Sequence, residues 1–245
     1  MRFRDAHADR VILGSTAETH PKGTFFFSDY EILLLQFGYA LTDELQVAIA
    51  GVPPIVKDQP YYFDFGLKLN LVRGDVFRAA VTGGLDVVTS GGSGNNSGPY
   101  YGGRFGAIGQ FCFEKTCRSS VSINAGTLLT SGADQVLPVY GAAGFVGKVS
   151  PLVSLMAEPA MVGALGTGSS NITSGAFFAF DYGVRLSGKN FGVDITFIEP
   201  VAATTGTFNN PFILGYPFVA FTYRTDGDAR PGAASAAAAA ALRGF

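Results

Sequence analysis

Apolar runs of about eighteen residues, the length that crosses a bilayer as a helix, do not occur in this sequence. Charge is scarce too. Charged residues make up 15%, against roughly 25% in soluble domains, so few are available to cover a water-facing exterior. A formal net charge of −2 leaves no basic footprint, which argues against a nucleic-acid partner. Histidine is limited to His7 and His20, both in the first twenty residues, so acid–base or nucleophilic catalysis has few candidate groups and no enzymatic reaction is expected. With no histidine near the two cysteines, neither a metal site nor a cofactor is expected. The opening MRFRDAHADR has no apolar core of the kind a secretion signal carries, so the sequence reads as a mature chain or as one cut or started away from the natural beginning.

What is abundant is alternation. In YYFDFGLKLNLVRGDVFRAAVTGGLDVVTS, residues 61–90, Tyr61, Phe63, Phe65, Leu67, Leu69 and Leu71 fall on one side of an extended chain, and Tyr62, Asp64, Gly66, Lys68, Asn70 and Val72 on the other. After RGD the pattern resumes, which reads as two long strands joined by a tight turn. The same parity recurs in LQVAIAG, RFGAIGQFCFE, SVSINAGTL, FFAFDYGVRLSG and FGVDITF. One face is continuously apolar; the other is small or polar, with single charges at mid-strand. The apparent strand lengths, roughly 10 to 15 residues, exceed the usual ~5 to 6 of globular strands and cover the ~9 to 11 that cross a bilayer when tilted. A barrel facing lipid needs no second layer, because closure satisfies its backbone and its outward side chains need only be apolar.

The connections alternate in length. Short links fall at 41–44, 73–75, 114–117, 148–151 and 187–190, and longer Gly/Ser/Asn/Pro-rich links near 53–60, 91–98, 131–135, 165–174 and 199–210. That pattern predicts an all-β, up-and-down antiparallel transmembrane barrel with short periplasmic turns and longer external loops. With RVILGST (10–16) as first strand and THPKG (19–23) in the first external loop, the count reaches about twelve, ending at GYPFVAFTYR, with both termini periplasmic. Residues 1–9 then form an N-terminal segment, 10–225 the barrel, and 226–245 an Ala-rich tail lying outside it. In TFFFSDYEILLLQFGYAL the polar parity changes between Asp29 and Gln36, which predicts either a bulge near Ile32 to Leu34 or a lipid-exposed acid near the rim. Residues 211–224 are apolar on both faces.

GYALTDELQVAIAG, residues 38–51, resembles the YGLTDxLxLGxG hairpin that recurs in bacterial outer-membrane β-barrel proteins. The resemblance extends to the spacing of turns and loops over residues 10–224. It implies a porin-like barrel in the bacterial outer membrane, with lipid as its surroundings, and an assembly signal in FVAFTY in place of the terminal Phe245.

Ten charged residues share parity with the small ones and are candidate lumen-lining groups: Asp64, Lys68, Arg78, Asp86, Arg104, Glu114, Glu158, Asp181, Arg185 and Asp194. They either line a hydrated path that sets an ion or small-solute preference, or pair across strands to seal a narrow barrel. The expected function is a passive narrow pore or a structural membrane barrel, and the alternative is a soluble β-barrel or sandwich that binds an apolar ligand. GGSGNNSG (91–98) lacks the Lys-Ser/Thr of a phosphate loop and reads as an external loop, and RGD reads as turn chemistry. In FCFEKTC, a two-residue turn at Glu114 and Lys115 would set Cys112 opposite Cys117, making them candidates for a disulfide that an oxidising periplasm would keep.

Overall fold

In a computed structural model of the chain, residues 5–31, 33–53, 61–89, 100–130, 136–166, 176–203 and 214–225 are described. Twelve strands follow one another: β1 (Phe25–Tyr30), β2 (Leu34–Ala40), β3 (Leu45–Val52), β4 (Tyr61–Arg73), β5 (Phe77–Thr89) and β6 (Tyr100–Cys112), then β7 (Ser120–Thr130), β8 (Val136–Lys148), β9 (Val153–Gly166), β10 (Phe177–Ser187), β11 (Phe191–Ala203) and β12 (Tyr216–Arg224). Each pairs antiparallel with its neighbours in sequence, and β1 pairs with β12, so the sheet closes on itself. Closure satisfies every ladder and leaves no open edge, as a lipid-facing sheet requires.

Side chains are arranged inside out relative to a water-soluble protein. On β4, Phe63, Phe65, Leu67 and Leu71 point outward and are exposed, while Asp64, Lys68 and Asn70 are buried within. Aromatic rings band the exterior near the short-turn end, at Phe25, Tyr39, Phe77, Phe111, Phe191 and Tyr223, and near the other end at Tyr61, Tyr101 and Phe177. Such girdles sit at the two water–lipid boundaries of a membrane barrel. A soluble sandwich would bury this face against a second layer, and the closed sheet has none.

The chain departs from the sequence reading at four places. Residues 10–16 are not a strand: the described N-terminal segment, residues 5–24, lies inside the barrel, and 19–23 sit at the short-turn end rather than in an external loop. The parity change after Asp29 is not a bulge but a break between two paired strands: β1 ends at Tyr30, β2 begins at Leu34, and Glu31, which follows β1, is exposed and takes φ 57°. These two differences offset each other, and the count stays at twelve. β12 has a clear parity after all, with Ala220, Thr222 and Arg224 buried and Val219, Phe221 and Tyr223 outward. The loop at 91–98 and the tail at 226–245 lie outside the described residues.

The fourth departure is at the cysteines. The bond Cys112–Cys117 is present, but the connection spans 113–119 instead of two residues, and Cys112 faces Ser120 in register. Cys117 lies in the turn at φ 51°, which brings its side chain back to the end of β6. Glu114 is therefore exposed in this turn and not in the lumen, where it accepts hydrogen bonds from the backbone N–H groups of Arg118 (2.9 Å) and Ser119 (3.2 Å). Parity carried past the end of β6 at Cys112 produced the misplacement. The closed loop is short, so reduction should cost no more than about 2 kcal/mol. Maleimide labelling of denatured protein should find no thiol before reduction and two afterwards.

Candidate functional site: a plugged lumen

A segment without strands of its own carries backbone N–H and C=O groups that must find partners once buried. Residues 5–24 find them on the barrel wall. The segment turns back on itself, with a bridge between Arg10 and Ser15 and a bond from the Val11 N–H to the Gly14 carbonyl (2.8 Å), so that Ile12 and Leu13 form its tip.

Wall groups cap this irregular backbone from several strands. Arg185 of β10 donates to the carbonyls of His7 (2.9 Å), Arg10 (3.0 Å) and Val11, while its guanidinium holds Asp194 of β11 at 2.8 and 3.0 Å. Lys68 of β4 donates to the carbonyls of Asp9 (2.8 Å), Thr16 (3.2 Å) and Glu18 (3.3 Å). Glu158 of β9 accepts from the N–H groups of Ile12 (3.2 Å), Leu13 (3.0 Å) and Gly14 (2.8 Å). Gln110 and Gln46 accept from the N–H groups of Ala17 and His20, both at 3.1 Å, and Asn70 donates to the Ala17 carbonyl. Arg78 pairs with Glu18. The wall is also cut to the plug's shape: a Cβ at Gly144 would collide with Val11, and one at Gly192 with the His7 ring.

Six of the ten candidate charges therefore border the plug or its immediate surroundings: Lys68, Arg78, Glu158, Arg185 and Asp194 by direct contact, and Asp181 beside Glu158 in register. Asp181 is fully buried, and neither of its oxygens has a hydrogen-bond partner among the described residues. Asp64, Asp86 and Arg104 form a separate cluster nearer the long-loop end: Arg104 pairs with Asp64, its Nε lies 3.7 Å from Asp86, and the Tyr62 hydroxyl donates to Asp86 at 2.9 Å. Glu114 belongs to neither group. Charge alone did not reveal Gln46, Asn70, Gln110 and Thr222, of which the last accepts from Arg10 at 3.1 Å. Their signal was a neutral amide or hydroxyl of inward parity near the short-turn end of a strand.

The two histidines sit in the plug. His7 Nδ1 lies 2.8 Å from Asp194 and its Nε2 lies 3.2 Å from Arg10, an arrangement that suits a neutral ring donating to the carboxylate and accepting from the guanidinium. Burial, helped by Arg10 and opposed by Asp194, lowers its pKa to about 4. His20 packs on Phe26 with ring centroids 4.7 Å apart and lies 3.7 Å from Asp9; burial lowers its pKa likewise, to about 4. A histidine whose pKa is depressed in the docked plug stabilises docking fully above its ordinary value of 6.5, and that contribution falls away as pH drops toward 4. Each ring contributes of order 3 kcal/mol at the limit. Acidification from pH 7 to 4 should thus loosen the plug. Maleimide should label Ala17→Cys, a position buried against the wall in the docked plug, in protein with its native disulfide intact, faster after brief exposure to pH 4 than at pH 7; equal rates would remove the histidines from the docking equilibrium.

Beyond the tip, toward the long-loop end, a cavity of about 1130 Å3 remains. Among the described residues no helix is long and apolar enough to cross a membrane.

The sequence matches no family model and no curated protein. Its structure is similar to that of the KdgM porin in complex with disordered oligogalacturonate, at 9% identity and TM-score 0.53, over 82% of this chain and 96% of that one. Weaker likenesses are to a loop L8 deletion mutant of OmpT, an outer membrane protein of Vibrio cholerae (11% identity, TM-score 0.43, 78% of this chain and 62% of that one), and to LpxR from Salmonella typhimurium (9%, 0.44, 83% and 99%). The first establishes architecture and nothing finer. With its closed ring, banded exterior and polar interior, the chain has the fold of the outer-membrane β-barrels.

Proposed function

We propose that this protein is a bacterial outer-membrane pore held closed at rest by its own residues 5–24, and that it catalyses no reaction. The observation that carries the reading is the seating of that segment, whose backbone is bonded by Arg185, Lys68, Glu158, Gln46 and Gln110 where an open bore would present those groups to water. On this reading the short turns face the periplasm, the long loops face outward, and the cavity beyond the plug is a blind vestibule for a small solute or ion. The absence of a reaction is supported by where the histidines are engaged: His7 with Asp194 and Arg10, and His20 against Phe26.

Planar-bilayer recording tests it. The full chain should be silent or open rarely, and deletion of residues 5–22 should raise the mean current roughly tenfold or more, since a barrel of this size without its filling leaves an aqueous path. Heat-modifiable migration in detergent gels verifies that both forms are folded barrels. Equal currents from the two forms would refute closure by the segment, and silence from both would refute the pore.

A further inference from the structure

The vestibule has a composition that a water-filled bore does not need. Its floor is the plug tip, where Leu13 is 54% exposed although the barrel surrounds it. Its sides include Leu34, Val88, Val162 and Phe218 as well as the ring of Tyr62. The volume, about 1130 Å3, lies just above the ~300 to 1,000 Å3 typical of small-molecule sites, which are likewise mostly apolar with a few placed polar groups.

The charged groups that line it are unequal in number. The cations that border the cavity are engaged: Arg104 by Asp64 and Asp86, Lys68 by three carbonyls, and Arg10 by the face of Tyr30 (4.4 Å from guanidinium carbon to ring centroid), by Thr222 and by Asp194 at 3.8 Å. The carboxylates outnumber them: among the described residues, Asp9, Glu31, Asp64, Asp86 and Glu158 border the cavity against three cations. Among those residues an entering anion would meet an acidic excess and no cation without a partner. A cation would meet carboxylates and a tyrosine face, the combination that attracts ammonium groups.

Taking the vestibule to be the solute chamber of the closed pore, we infer that it receives an amphipathic organic cation: an amine or quaternary ammonium on an aliphatic or aromatic body. The charged group lies toward Asp86 and the ring of Tyr62, and the body lies against Leu13 and Val162.

Titration calorimetry on the full chain in detergent, with micelle blanks, decides the question using 4-phenylbutyltrimethylammonium and 5-phenylpentanoate, two probes of similar length and opposite charge. The ammonium should bind about tenfold or more tighter than the carboxylate, and Asp86→Asn should weaken the ammonium about tenfold, an ordinary effect for one partly buried charge contact. Equal or tighter binding of the carboxylate, binding of neither probe, or an unchanged ammonium affinity in Asp86→Asn would each overturn the inference. If Asp86→Asn fails to fold, the contrast between the probes on the unaltered chain still decides. Failure of the closed-pore reading is separately visible, because it is read as resting current in the bilayer and leaves the calorimetric contrast interpretable.

Discussion

Arg185→Gln is expected to weaken docking of the internal segment by about 3 to 5 kcal/mol, the usual consequence of removing one partner of a buried ion pair. Arg185 is 1% exposed and serves two structures at once. It neutralises Asp194 through a two-pronged contact, and it satisfies the carbonyls of three plug residues. A glutamine can replace one of those bonds but leaves Asp194 as a buried, uncompensated charge with His7 and the more distant Arg10 as its remaining neighbours. The variant should show resting current approaching that of the chain lacking residues 5–22, while keeping the gel mobility of a closed barrel. Arg185→Lys, which retains charge but loses the planar fork, should fall between the two. Unchanged resting current in Arg185→Gln would mean that the closing free energy resides in Lys68 and Glu158 instead.

The second large effect belongs to the outer face. Phe65→Arg and Leu67→Arg, near the middle of β4, should each destabilise the barrel by about 2 to 4 kcal/mol in lipid vesicles, because an outward guanidinium there has hydrocarbon as its only solvent. The informative contrast on the inner face is Asp181→Ala. A fully buried carboxylate with no partner opposes folding, so its removal should be neutral or stabilising. Lys68→Ala does not serve as that contrast, since Lys68 holds three plug carbonyls. Urea titrations give both numbers, and similar losses for Leu67→Arg and Asp181→Ala would contradict the assignment of the two faces.

The barrel was legible because its physics is periodic. One face in oil and one in a polar interior force a repeat of two, and a dozen residues of it per strand are enough to read. The disulfide partners were legible from their spacing, though not the wider turn that joins them. The plug was not legible, because a segment held by side chains reaching to its backbone leaves no periodic mark. In RVILGST, Val11 and Ile12 are apolar because they pack against the wall and tip of a filled lumen, and locally that composition is indistinguishable from a short strand. The mid-strand charges were visible, but their partners were distant in sequence: 146 residues separate Ile12 from Glu158, and 178 separate His7 from Arg185. Side-chain parity reports which way a charge points, not what it meets there.

Residue 24 leads into β1 at the short-turn end, and Asp5 lies near that same end, 4.0 Å from Arg185 and within the field of Lys148. The segment thus enters and leaves the ring through one mouth, as a finger does a glove, and is not threaded through it. Nothing in the ring need come apart for it to be withdrawn: the β1–β12 seam and every other ladder can stay intact while only side-chain-to-plug bonds are exchanged for water. On the closed-pore reading, opening and reclosing are topologically free: they exchange the segment's contacts and leave the sheet's ladders unbroken.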